Sequence, residues 1–145
     1  MGGERKFDPK DIESIIYVNT TSAILCTQAL LPNLKKSKNA KVILIGSSDG
    51  IGNNETKQVT YVASKFGLRG IGNSLRENIR KYEIGVTCMN PSIPFEEGSE
   101  KTLSTYKGTR IPVQDIVSLV KTITHLSKAF CVKEINMPAM LDTNA

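Results

Sequence analysis

The chain has little histidine and cysteine, and each scarcity removes a class of chemistry. Its single histidine, His125, has no partner motif and stands near the carboxyl end of an expected helix. It therefore reads as a favourable contact with the helix dipole rather than a catalytic base. Three cysteines, Cys26, Cys88 and Cys131, are odd in number, widely spaced and set in apolar surroundings. That excludes a disulfide framework and suggests reduced core thiols in a cytoplasmic protein. No metal ligand set is apparent. No apolar run reads as long enough to cross a bilayer, and the amino terminus is polar rather than signal-like. Acidic residues fall short of basic ones, 14 against 19, giving a formal charge of +5 and a pI near 9.2. Such a balance invites a nucleic-acid reading. Yet Lys35, Lys36, Lys38 and Lys41 gather at one helix-to-strand turn, the others are dispersed, and no nucleic-acid motif accompanies them. A solvated basic surface is the expectation, with neither nucleic acid nor membrane as partner.

What is present is alternation. At 145 residues the chain has one domain's worth of sequence. Asp8-Pro9 predicts a helix start, cap then proline, and the helix runs to about Leu31 before Pro32. Ile12, Ile15, Ile16, Ala23, Cys26 and Leu30 recur at helical spacing, and Asn19 falls within that stripe. Lys41 to Ile45 is a short apolar run, the pattern of a buried parallel strand. A second helix spans about Val59 to Lys81, and its Ala63, Gly67, Gly70 and Ser74 line one face with small residues that would let another backbone approach. Gly85 to Met89 is the next strand, followed by a helix from about Val113 to Ser127 and a strand from Phe130 to Met137. Strand–helix–strand–helix–strand order implies an α/β fold with parallel pairing and right-handed crossovers.

One constellation carries chemistry. Tyr61 and Lys65 are spaced i,i+4, hence on one helical face. Phenol titrates near pH 10 in water, and a neighbouring cation favours the phenolate. Ser48 stands thirteen positions upstream, just past an apolar strand, where its hydroxyl can hold a carbonyl oxygen. The tyrosine–lysine pair alone is a weak signal in a chain with 4 tyrosines and many lysines. Order strengthens it: Asn19, Ser48, Tyr61 and Lys65, then a strand ending in Asn90-Pro91, an Ile111-Pro112-Val113 helix entry and a last strand into Met137-Pro138.

In this order and context the chain resembles the carboxyl-terminal portion of the short-chain dehydrogenase/reductase family over nearly its whole length. The resemblance implies a partial doubly wound, Rossmann-type parallel sheet with flanking helices. It also implies hydride transfer between NAD or NADP and a small carbonyl or alcohol compound. Tyr61 would be the general acid/base, Ser48 would polarise the substrate oxygen, and Lys65 would support the tyrosine and hold the nicotinamide ribose. Asn19 would bind a water linked to Lys65, although a core amide tying two elements together is the plainer reading. Pro91, Ser92 and Ile93 would also touch the cofactor. A homodimer, or a pair of dimers, would form through the two long helices.

The pattern departs from the family in three places. The amino-terminal half, with its glycine-rich phosphate loop, is not within residues 1–145, which leaves a non-catalytic interaction or dimerisation fragment as the alternative. Gly46 to Gly52 has the glycine spacing of such a loop, but Asn53 to Gln58 lacks helical periodicity and no acidic residue follows about 20 positions on. It reads as a serine-presenting loop instead. Finally, Pro91-Ser92 replaces the family's Pro-Gly, Glu96 stands where a threonine is expected, and the polar segment Glu96 to Lys101 suggests a short substrate loop for a small polar compound.

Overall fold

The computed structural model describes residues 8–52, 57–95 and 108–142. Asp8 caps the first helix by accepting from the Lys10 N–H at 2.9 Å, with Pro9 in the first turn, where its missing donor costs nothing. Helix α1 (Pro9–Ile16) passes into a five-residue π-turn, Tyr17–Thr21, and then into α2 (Ser22–Lys36). A π-turn takes more residues per turn than an α-helix, so it rotates everything beyond it. Ile12, Ile15 and Ile16 are half-buried before the turn. After it the inner face is Ala23, Thr27, Leu31 and Leu34, while Cys26 and Leu30 of the expected stripe are exposed. Cys26 is therefore a surface thiol rather than a core one. Cys88 is buried, Cys131 partly so, and all three are free.

Pro32 does not end the helix. It lies within α2, and both it and Gln28, whose carbonyl loses its intrahelical donor, are exposed, where water can take over. The unbroken run Pro9–Lys36 is 28 residues long, with a mean hydropathy of 1.3 over its most apolar stretch. By length and composition alone it could cross a membrane, which corrects the expectation that no run was long enough. A helix that packs on a sheet with one side and meets another surface with the other has the same composition.

Strand β1 (Lys41–Ile45) follows, then α3 (Val59–Ile79), β2 (Gly85–Pro91), a two-residue pair β3 (Pro94–Phe95) and β4 (Ile111–Pro112), α4 (Val113–His125) and β5 (Glu134–Met137). Strands β1, β2 and β5 form one parallel sheet in that order, with Lys41 opposite Gly85 and Cys88 opposite Glu134. Alternation along β1 and β2 sends residues to two cores. Leu44, Val86 and Cys88 pack with Ala23, Leu31, Leu34, Leu68, Ile71 and Ile79 beneath the first three helices. Ile43, Met89 and Met137 pack with Ile116, Leu119, Val120 and Ile123 of α4 on the opposite face. Helices cover both faces of a parallel sheet, the doubly wound arrangement.

The face of α3 that meets the core is Ser64, Leu68, Gly72, Arg76 and Ile79; the small-residue set Ala63, Gly67, Gly70 and Ser74 lies beside it. Of that second set only Gly67 makes a close approach, where a Cβ would lie 3.1 Å from Thr20 Cγ2 in the π-turn. Gly70 has nothing within 4 Å. Arg76 is buried yet fully occupied: Nε donates to Val86 O at 3.2 Å, Nη2 to Lys133 O at 3.0 Å and Nη1 to Asn73 Oδ1 at 3.0 Å. It ties the far end of α3 to β2 and to the entry of β5.

Candidate active site

The site forms where the parallel strands end, the usual place for a ligand in a sheet of this kind. Strand β1 hands the chain to Gly46, whose N–H extends the ladder to Met89 O at 2.6 Å. A Cβ at this position would sit 2.1 Å from Asn90 Oδ1, so a side chain here would collide with β2. Beyond it the chain makes one 3₁₀ turn, Ser48–Gly50. Ser47 Oγ accepts from Asp49 N at 3.2 Å, Gly50 N donates to Ser47 O, and the Ile51 and Gly52 amides both donate to Ser48 O. Asp49, Gly50, Ile51 and Gly52 thus spend their N–H groups within the loop. A phosphate would find no cradle of amides here, and the glycine spacing of Gly46 to Gly52 is a by-product of a tight turn. Ser47 is buried and engaged; Ser48, half-exposed, has its hydroxyl available among the described residues.

Tyr61 and Lys65, both half-buried in the first turns of α3, line a cleft of about 610 Å³ together with Ser48. Its far wall is Pro91, Ser92, Ile93 and Pro94, with Gln58 and Asp142 at its margins. Lys65 Nζ donates to Ile45 O at 3.0 Å and lies 5.5 Å from the centre of the Tyr61 ring. Burial pulls the Lys65 ammonium below the ordinary lysine value, and the Cys88 sulfur acts in the opposite sense. A desolvated cation so placed loses part of its hydration and becomes a stronger partner for any anion formed in the cleft.

Asn19 stands one layer behind. Its Nδ2 donates to Ser64 Oγ at 3.0 Å, and Ser64 Oγ donates to Tyr61 O at 2.7 Å. Thr20 Oγ1 adds a bond to Ser64 O at 3.1 Å. Asn19 therefore grips the backbone between Tyr61 and Lys65 rather than the cleft itself, and it sits inside the π-turn. Ser64, fully buried, is a supporting residue the sequence reading missed. Its spacing from Leu68, Gly72 and Arg76 was the available signal.

Ser92 occupies the position where the family has glycine, and it does so without a positive φ. Its N–H donates to Met137 O at 2.9 Å and its Oγ accepts from Ala139 N at 3.1 Å. The serine thus joins two chain segments instead of straining one, and its amide is not free for a ligand. Glu96 and the polar segment Glu96 to Lys101 lie outside the described residues. His125 ends α4 with Nδ1 2.6 Å from Lys121 O, a helix-terminal contact far from the cleft in sequence and role. Among the described residues no three His, Cys, Asp or Glu side chains gather to hold a metal ion.

A polar chain runs from α3 to β5 beside the cleft, with Asn90 and Cys88 buried at its centre and Arg69, Glu134 and Asn136 partly or wholly exposed. Arg69, one turn beyond Lys65, makes a two-pronged ion pair with Glu134, Nε to Oε1 at 2.7 Å and Nη2 to Oε2 at 3.2 Å. Asn90 Nδ2 donates to Glu134 Oε1 at 2.7 Å and to Asn136 Oδ1 at 2.9 Å, while its Oδ1 accepts from Cys88 Sγ at 3.3 Å. Burial raises the Cys88 thiol above its usual value, with Glu134 adding to the effect and Arg69, Lys65 and Arg76 opposing it. The thiol is thereby held protonated, as a donor to Asn90.

A family model described as short chain dehydrogenase matches residues 1–101. The chain belongs to the short-chain dehydrogenase family. It is 35% identical over 88 residues to an NADH-dependent L-xylulose reductase of Ambrosiozyma monospora, 59% of this chain and 32% of that protein. It is 32% identical over 125 residues to the 3-oxoacyl-[acyl-carrier-protein] reductase FabG of Buchnera aphidicola subsp. Baizongia pistaciae, 82% of this chain and 48% of the relative. Among solved structures, a closed serine dehydrogenase complexed with NADP+ superposes with a TM-score of 0.76 at 22% identity, covering 91% of this chain and 57% of that one. A metagenomic short-chain oxidoreductase in complex with NADP gives 0.74 at 22% identity, covering 94% and 54%. These likenesses establish the Rossmann-type fold of the short-chain dehydrogenases. The chain spans less than two thirds of the length of these relatives.

Proposed function

We propose that the protein carrying this chain is an NAD(P)-dependent oxidoreductase acting on a small carbonyl or alcohol compound. The observation that carries the reading is convergence: Ser48 just past β1, Tyr61 and Lys65 from α3, and Pro91 to Ile93 at and just past the end of β2 all border one cleft at the strand ends. Its volume of about 610 Å³ and its donor set suit the nicotinamide and ribose of a dinucleotide. Lys65 and Tyr61 would hold the ribose, with Pro91 and Ile93 against the ring. Nicotinamide, when bound, supplies or accepts the hydride. The chain's own part is the proton. In reduction Ser48 donates a hydrogen bond to the carbonyl oxygen, Tyr61 gives that oxygen its phenolic proton, and the adjacent Lys65 ammonium stabilises the phenolate left behind. Oxidation runs these transfers in reverse. Asn19 acts through Ser64, holding the turn that carries both residues. The free thiols support a reducing compartment such as the cytoplasm.

The outer faces of the long helices complete the proposal. Tyr17, Val18 and Leu25 on α1–α2, with Val59 and Phe66 on α3, are exposed, and Gly70 is open beside them. We read this surface as an isologous helix interface of a homodimer or a pair of dimers.

The deciding experiment is Tyr61→Phe in the full-length protein, which removes one oxygen. Turnover should fall by about 10²–10⁴, the usual worth of general acid–base assistance, while NAD(P)H binding by calorimetry is retained. A variant keeping more than about a tenth of the rate would take Tyr61 out of the chemistry.

A further inference from the structure

A second cavity, of about 240 Å³, opens beside the first at the ends of β1, β2 and β5. Ile51, Met137 and Pro138 give it apolar walls, buried Asn90 forms part of its lining, and Ser48 is common to both cavities. Its remaining polar group is Asn136, which is exposed. The orientation of that amide is set from behind. Arg69 pins the Glu134 carboxylate, and Asn90 uses both amide protons, one on Glu134 and one on Asn136 Oδ1. Turning the Asn90 amide over would put its oxygen against the carboxylate. The chain of bonds therefore fixes Asn136 with its oxygen inward and its NH₂ outward, and among the described residues that NH₂ meets no acceptor.

We propose that this cavity receives the part of the substrate beyond the reacting carbonyl, and that Asn136 is a specificity-determining residue there. It donates to a second, neutral oxygen acceptor. The inference rests on the assignment of Ser48 and Tyr61 to the carbonyl. The volume lies below the range of drug-sized pockets, so the group is short. Among the described residues no cation lines the cavity, which disfavours a carboxylate and favours an ester or second ketone. Water can satisfy Asn136 when no acceptor is present, so discrimination is moderate, about tenfold.

The test uses the full-length protein with NADH or NADPH and three keto esters: ethyl pyruvate, ethyl acetoacetate and ethyl levulinate. Each is compared with an aliphatic methyl ketone of matched length. At least one ester should exceed its ketone about tenfold in kcat/KM. Asn136→Asp keeps an oxygen for Asn90 and loses the donors, so the ester-to-ketone ratio should fall to about one without loss of fold. Asn136→Leu should lower the same ratio by a different route. An active wild type with no ester preference, or a preference surviving both substitutions, overturns the cavity assignment alone. A wild type that reduces none of the probes, or a Tyr61→Phe variant that still reduces them, overturns the catalytic assignment beneath it.

Discussion

Helix α3 carries an inward-reaching cation near each end, Lys65 and Arg76, eleven residues apart, and both bond to backbone carbonyls in or beside the sheet. At its far end Arg76 is buried and spends three donors on Val86, Lys133 and Asn73. Near its start Lys65 is half-buried and makes one such bond, to Ile45 O at 3.0 Å. A planar guanidinium forks across several acceptors and fixes geometry. An ammonium with one strand bond keeps two protons in hand, faces a cleft, and is desolvated enough to titrate early. The same helix thus ends in an anchor and begins with a reserve. The difference separates what holds this fold from what it can do.

The contrast breaks most visibly at Lys65. Lys65→Ala should lower turnover of the full-length protein by 10² or more, with about tenfold weaker NAD(P)H binding. Calorimetry beside steady-state rates separates the two losses. Arg76→Met should do the reverse, destabilising the fold by about 2–4 kcal/mol in urea unfolding because Val86 O, Lys133 O and Asn73 Oδ1 each lose a charged donor. Its folded fraction should turn over at the wild-type rate; a silent but stable Arg76→Met would place that arginine in the chemistry. Smaller still is Gly70→Leu. With nothing within 4 Å of a Cβ there, unfolding free energy should stay within about 0.5 kcal/mol, yet sedimentation should show dissociation to monomers. An unchanged dimer would remove the α3 face from the interface.

The smallest effect is a pH slope. Lys65 has a folded-state value below the ordinary 10.5. At neutral pH it is protonated folded and unfolded, and its burial cost is fully present. As pH rises through the folded value toward 10.5, the folded form sheds its proton first, and stability rises relative to Lys65→Met. Thermal unfolding of both proteins between pH 7 and about 10 measures it, and parallel profiles would mean that Lys65 is not desolvated.

Strand β1 was legible to the residue, because a short apolar run bounded by Lys41 and Gly46 leaves little choice. The helix starts at Pro9, Val59 and Val113 were legible from caps, prolines and periodicity. The stripe beyond Thr21 was not, since one period was carried through a π-turn that changes it. The inner face of α3 was not legible, because it contains an arginine, a residue ordinarily outside. Ser48, Tyr61, Lys65 and Pro91 to Ile93 meet in one cleft as their order implied. The polar chain from Arg69 to Asn136 could not be read at all. It depends on the β2–β5 register, Cys88 opposite Glu134 and Asn90 opposite Asn136, which no local pattern encodes.

The π-turn also sets what a change of chain length would do to this helix. Five residues between Ile16 and Ser22 close a loop in which an ordinary helix would use fewer. Such a turn holds an extra residue without breaking the helix. Deleting one residue between Tyr17 and Thr21 would let the segment heal as a regular α-helix, and everything upstream would swing by about 100° relative to α2. Asn19 would then leave Ser64 while α2 stayed on the sheet. A single in-frame deletion would therefore sever the Asn19–Ser64–Tyr61 linkage in a chain that still folds, so in this short stretch chain length, and not residue identity alone, governs the site.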